Sequence, residues 1–290
     1  MVPEESGEGK GMRKERDNWI WHATAEESVW NLLLRQGVGK KLLADLAKQK
    51  LLLVEGKAVD TRYMLSEGQE VELHMPKETV DHDAVQMELR VLYEDGDLLV
   101  INKPSGITVN SVNQISIANG VAHYFMERGI DRKIRFLNRL DRDTSGCLII
   151  AKSALAQALY QRELEERRFH KFYRAIVEGK LEGNGMLELP MRKSTDGIHQ
   201  EVHPEGKMTK TYYEAISSET RADGSVVTMV ELEIFTGKTH QIRVGMAHLG
   251  HPLEGDVLYG ATPKEKSFSL VAERIAWTDL RTGEERTVAI

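Results

Sequence analysis

Residues 139–146 read RLDRDTSG and set one carboxylate, Asp141, between Arg139 and Arg142 in a polar loop that ends at Ser-Gly. The apolar run CLII at 147–150 follows at once, which marks entry into a strand. A carboxylate held beside fixed cations stays ionised, because an opposite charge within ~4–6 Å favours the charged form. That state suits a nucleophile or general base better than a proton donor. A surface ion pair closing a loop has the same composition, so the loop alone does not decide between chemistry and structure.

Two further segments carry side chains that could meet Asp141. In FTGKTHQIRVGMAHLGHPLEGDVLYG, residues 235–260, Thr-Gly ends a strand and the spacing predicts a helix over 239–249 with Ile242, Met246 and Leu249 on one buried stripe. Arg243 sits one residue off that stripe and can leave the helix toward a cleft. In HKFYR, a predicted strand over 171–177 turns Lys171, Tyr173, Ala175 and Val177 to a common face. Two other chemistries deserve weighing. A serine hydrolase centred on Ser145 lacks a G-x-S-x-G elbow. A metal site on His240, His248 and His251 is disfavoured because His240 and His248 project about 80° apart on a helix.

The elements that must hold these groups are legible in outline. Strands are expected over 97–103, ended by Lys-Pro-Ser-Gly, and over 171–177, 209–216 and 226–235; helices are expected over 118–128 and after Ser153, with Leu155, Leu159 and Leu164 on its apolar face. Helices and strands alternate without a βαβ rhythm, which predicts an α+β domain on a mixed, largely antiparallel sheet. In front, short helices over 28–34 and 40–49, the run 51–54, a turn at Glu55-Gly56 and an alternating strand at Val71, Leu73 and Met75 make a unit of roughly 60 residues, small enough to be marginal alone. The expected organisation is a mobile tail at 1–18, a small domain at 19–76, a linker at 77–86 and a catalytic domain at 87–290.

The chain has 290 residues, 41% hydrophobic, with a net charge of −6, so it can bury a substantial core and is not basic overall. Its positive charge is local: Arg35, Lys40, Lys41, Lys48 and Lys50 in one stretch, and Arg132, Lys133, Arg135, Arg139 and Arg142 in another. Such clusters fit a nucleic-acid surface. One cysteine excludes a disulfide framework, and the absence of a signal-like or membrane-length apolar run leads us to expect a cytoplasmic chain.

Taken together, RLDRDTSG, the K-x-Y of Lys171 and Tyr173, and THQIR at 239–243 resemble the pseudouridine synthases that modify ribosomal and transfer RNA. Residues ~20–75, with VGKKLLADLAKQKLLLVEGKAV and LSEGQEVEL, resemble the S4-type RNA-binding module. The resemblance implies that Asp141 is the nucleophile, that Tyr173 stacks on the target base and takes part in proton removal, and that Arg243 pairs with the catalytic carboxylate. It further implies that Leu270 packs beneath the tyrosine; that Arg139, Arg142, Lys171, Thr239, His240 and Gln241 contact substrate; and that Arg35, Lys40, Lys41, Lys48 and Lys50 bind RNA. The implied reaction is uridine isomerisation without cofactor or metal, by a monomer whose partner is RNA, ribosomal in preference to transfer. A catalytically inactive RNA-binding or ribosome-assembly protein of the same fold is the alternative. Asn138, Lys238 and Gly245 stand where many relatives have His, Arg and His, and Glu55 stands where the S4-type turn commonly has Asn.

Overall fold

The computed structural model describes residues 18–264 and 268–290; residues 1–17, nearly all of the expected tail, lie outside the described residues. The front of the chain runs β1 (Trp19–His22), β2 (Glu27–Ser28), α1 (Val29–Arg35), α2 (Lys40–Lys48), β3 (Leu52–Val54), β4 (Lys57–Ala58), β5 (Met64–Leu65) and β6 (Glu70–Leu73). Strands β1-β6-β3-β4 form one small sheet and β2 pairs with β5. Ser28 caps α1, its hydroxyl accepting from the Asn31 N–H at 3.2 Å, which satisfies one of the free donors of the first turn. Glu55 and Gly56 between β3 and β4 both have positive φ, 48° and 74°. A two-residue hairpin turn of that kind favours Asn-Gly, so the preference for Asn at this position has a backbone cause.

The rest is built on one large sheet. In chain order it comprises β7 (Arg90–Glu94), β8 (Leu98–Lys103), α3 (Ile117–Glu127), β9 (Arg135–Phe136), β10 (Ser145–Ala151), α4 (Ala154–Glu165), β11 (His170–Glu178), β12 (Asn184–Lys193), β13 (Gln200–Val202), β14 (Lys207–Thr220), β15 (Val226–Ile234), α5 (Gln241–His248), a 3-10 turn at Val257–Tyr259, β16 (Leu270–Thr278) and β17 (Glu285–Ala289). The strand order is β13-β12-β14-β15-β11-β16-β10-β8-β7, with β17 beside β16 and β9 beside β10. Every pairing is antiparallel except β10 with β16. The sheet is therefore mixed and largely antiparallel, as the alternating texture predicts.

Alternation along the strands divides the core. Leu99, Ile101, Leu148 and Ile150 pack with α3 on one face, whereas Leu98, Val100, Cys147 and Ile149 pack with Tyr160 of α4, Phe169 and Trp277 on the other. The opposite side of α4 is also buried: Leu155 and Leu159 belong to the apolar core of the front unit, with Leu32, Leu43 and Leu73. Arg281 ties the two parts further, pairing with buried Asp97, donating to the Asn18 carbonyl at 2.6 Å and lying over the Trp19 ring at 4.3 Å. Residues 77–86, expected as a linker, lie against the 131–135 segment. Lys77 pairs with Asp131, Glu78 pairs with Arg135, and the Asp81 carboxylate accepts from the Ile134 N–H.

Candidate active site

The site forms where β10, β11 and β16 run side by side. Ser145 and Gly146, at the end of the RLDRDTSG loop, pair in parallel with Val271 and Ala272. Gly146 has φ +108°, and a Cβ there would stand 2.2 Å from the Ala272 carbonyl oxygen, so only glycine allows the two backbones to meet. Across β16, Ala272 is opposite Tyr173, after a register shift between Phe172 and Tyr173. A bulge bends its strand and re-aims the next side chain. Tyr173 ends 5% exposed, in one apolar cluster with Leu270 and Leu232.

Three side chains pin the Asp141 loop. Lys103, fully buried, donates from Nζ to the carbonyls of Pro104 (2.8 Å), Ile107 (2.8 Å) and Arg142 (2.9 Å). Burial pushes its amine down to about 8, against the opposing pull of Asp143 and Asp141. The Asn138 amide donates to the Cys147 carbonyl at 3.1 Å and accepts from the Ile149 N–H at 2.9 Å, standing in for a strand rung. Ser105 closes the turn by donating to the Asp143 carbonyl.

Asp141 faces a cleft of about 560 Å³ whose lining includes Tyr173, Arg243, His240, Lys171 and Leu270. That size accommodates a nucleotide. Nη1 of Arg243 lies 3.7 Å and Nε2 of His240 lies 3.9 Å from the same oxygen, Oδ2 of Asp141. Neither carboxylate oxygen of Asp141 takes a hydrogen bond among the described residues, and a quarter of the side chain is exposed. Arg243 is itself fixed by a fork-to-fork pair with Asp256, both contacts 2.7 Å, and lies over the rings of Phe268 and Tyr259. Burial works against its charge, but Asp256 and then Asp141 outweigh that and hold the guanidinium above its ordinary value. Burial, followed by the charge of Asp141, raises the Tyr173 phenol, which therefore stays protonated and suits stacking and proton relay better than action as a phenolate. Burial alone pushes Lys171 down to about 8, and it makes no ion pair among the described residues.

Several expectations change. Asp141 takes its cation from Arg243 and not from its neighbours in sequence: Arg142 points away, exposed, and pairs with Asp143, while Arg139 lines the cleft without an ion pair among the described residues. Gln241 lines the cleft but its amide is spent inside the protein, on Thr236, Lys238, Lys210 and Thr211, so it braces the turn into α5 and has no group left for substrate. Thr239, His240, Lys171 and Leu270 all line the cleft. In the front unit, Arg35 is occupied by Glu27, whereas Lys40, Lys41, Lys48 and Lys50 are exposed and unpaired among the described residues. In the second basic cluster, Arg135 is taken by Glu78. Gly245 packs with its Cα side against Leu187 of β12, where an added Cβ would already stand at 3.4 Å.

Asp256 and Tyr259 are the residues that sequence reasoning missed. The available signal was Arg243 itself, since a guanidinium on a helix buried nearly all round requires an acid partner. Among the described residues no three His, Cys, Asp or Glu side chains group as a metal site, and no helix is long and apolar enough to cross a membrane.

This geometry can be set beside known proteins. Residues 97–248 match the family model described as RNA pseudouridylate synthase. The chain is 34% identical over 237 residues to the Bacillus subtilis RNA pseudouridine synthase YjbO, covering 79% of this chain and 82% of that protein. It is 40% identical over 182 residues to YhcT of the same organism and 38% identical over 183 residues to ribosomal large subunit pseudouridine synthase D of Yersinia pestis, spanning 59% and 55% of their lengths and 61% and 62% of this chain. Among solved structures, human RNA pseudouridylate synthase domain containing 1 superposes with a TM-score of 0.60 at 26% identity, over 72% of this chain and 85% of that one. With a family match over half the chain, and a relative matched along most of both lengths, this chain belongs to the RNA pseudouridylate synthase family, isomerases that act on uridine in RNA.

Proposed function

We propose that this chain isomerises uridine to pseudouridine in structured RNA, ribosomal in preference to transfer, with Asp141 as the nucleophile. The observation that carries this is the placement of Asp141 on the cleft wall, a quarter exposed, with Oδ2 facing Arg243 and His240. The reaction breaks the C1′–N1 bond, turns the uracil and joins C1′ to C5; the C5 proton leaves and N1 gains one. Attack at C1′ and addition at C6 both use a carboxylate oxygen with a free lone pair, which Asp141 provides. The target uridine is extruded from the RNA at a cost of a few kcal/mol, and Tyr173, with Leu270 in the same apolar cluster, supplies the surface on which the base stacks. Arg139, Lys171 and Thr239 line the cleft, and in this reading they contact the flipped nucleotide and its phosphates. Residues 19–76 act as an S4-like module, holding RNA backbone through Lys40, Lys41, Lys48 and Lys50. The preference for ribosomal RNA is supported by relatives named for the large ribosomal subunit.

The test is tritium release from RNA labelled at uridine C5. Asp141→Asn is nearly isosteric, so release is expected to fall to background while RNA affinity stays within about twofold, because only the nucleophile is lost. Turnover that persists in the variant overturns the assignment. Mapping pseudouridines in cells with and without the gene is expected to show a site lost from large-subunit RNA; a site lost only from transfer RNA overturns the substrate preference.

A further inference from the structure

His240, at the N-cap of α5, has a left-handed backbone, φ 55°, shared on the cleft wall by Arg167 at φ 62°. That conformation is unfavourable for a residue with a side chain, so the surrounding structure must hold it there. What holds it is visible on the far side of the ring. Nδ1 lies 2.6 Å from the Tyr259 hydroxyl, and that hydroxyl accepts a hydrogen bond from the Gln200 N–H at 3.0 Å. The phenol has one proton to give, and Nδ1 is the single acceptor it meets among the described residues. The short separation also matches an O–H donor better than an N–H donor. With Nδ1 accepting, a neutral ring carries its proton on Nε2, the atom 3.9 Å from Oδ2 of Asp141.

We propose that Tyr259 is a positioning residue that fixes His240 as the neutral imidazole protonated on Nε2, so that this N–H and Nη1 of Arg243 both face Oδ2 of Asp141 and orient the carboxylate in the cleft. The proposal rests on Asp141 as the reacting group. The charged and titratable groups facing the ring are Asp141, Arg243, Asp256 and His199, besides Tyr259 itself. Burial leads and Arg243 adds to it, outweighing the two carboxylates, so the ring stays below its ordinary value and neutral at pH 7. The Tyr259 ring also lies 4.9 Å from the Arg243 guanidinium and meets His199 edge-on at 6.0 Å. One tyrosine thus meets both groups that face Oδ2, and it is seated by the start of β13 at the far edge of the sheet.

The experiment uses the full chain, free of RNA for the first measurement. Nitrogen–proton correlation spectra of the imidazole side chains are expected to show His240 with a protonated Nε2 and an accepting Nδ1. In Tyr259→Phe the same signals are expected to shift to a mixture of tautomers. Kinetically, Tyr259→Phe is expected to lower kcat by about 10- to 100-fold with KM for RNA unchanged, the usual cost of removing a histidine's orienting partner. A wild-type His240 protonated on Nδ1, or a Tyr259→Phe enzyme with kcat within twofold of wild type, overturns the proposal. The wild-type spectrum decides the matter even if the variant does not fold. It is also independent of the nucleophile assignment, which fails separately if Asp141→Asn stays active.

Discussion

At the scale of single residues, Lys103 carries a consequence for pH. Its amine, held down to about 8 by burial, is charged at pH 7 in both the folded and unfolded chain, so the folded state carries the burial cost there. Between about 8 and the unfolded value near 10.4, the unfolded chain binds more protons, and this group alone makes folding more favourable as pH rises. The stability difference between wild type and Lys103→Met, from urea titrations at pH 7, 8.5 and 10, is therefore expected to grow in favour of wild type. A difference that shrinks with pH contradicts the assignment. Activity should move the other way, because a neutral amine has two N–H groups for three carbonyls and the Asp141 loop loses a tether. Individual residues were unevenly legible in the sequence. Asp141, Tyr173 and Arg243 stood out because they lie in short, distinctive strings. Lys103 did not, because nothing local separates a lysine that clamps three carbonyls from one in solvent, and Asp256 was invisible until the fold brought it to Arg243.

Among the elements, the parallel contact of β10 with β16 sets the tightest constraint. Gly146→Ala would combine a positive φ with a Cβ 2.2 Å from a backbone oxygen, and backbone cannot yield as a side chain can. A loss of roughly 3 kcal/mol or more is expected, about 5 °C or more in Tm for a chain of this size, together with loss of activity. A stable, active Gly146→Ala enzyme would show that β10 and β16 can separate without harm. The helices were readable because cap and period agree: Ser153 caps α4 by accepting from the Ala156 N–H, as its position before the apolar stripe predicts. Strands β12, β13, β16 and β17 were not singled out. In Asn184–Lys193 and Glu285–Ala289 the burial alternates almost only between half-buried and exposed, because these strands keep one face in water, whereas β16 runs inside the sheet between β11 and β10. The helix α5 departs from its stripe pattern for the opposite reason. It is buried on nearly all sides, Arg243 included, since β12, β14 and the 257–259 turn enclose it.

For the molecule as a whole, the front unit and the sheet share a core through Leu155 and Leu159 of α4, each fully or almost fully buried. Deleting residues 1–76 would expose both, so charge reversal is the cleaner test of RNA binding. Lys40, Lys41, Lys48 and Lys50 changed together to Glu are expected to reduce the salt slope of log K by about 3, at ~0.7–0.9 per phosphate contact, with the fold retained. An unchanged slope would make this unit scaffolding. Arg35→Ala should leave the slope nearly unchanged, because that arginine is committed to Glu27. The packing of α4 against the front unit was not readable in the sequence, since α4 presents apolar residues on two sides and a sequence pattern does not say what covers the second. The pairing of Gly146 with Ala272 also bears on how the site comes into being. These residues are separated by nearly half the chain, and β11 to β15 must be laid down before they can touch. Closing so long a loop is slow relative to forming local helices and hairpins. During synthesis the 139–146 loop emerges well before β16 and waits unpartnered for it, so the growing chain has no complete cleft until β16 has been made.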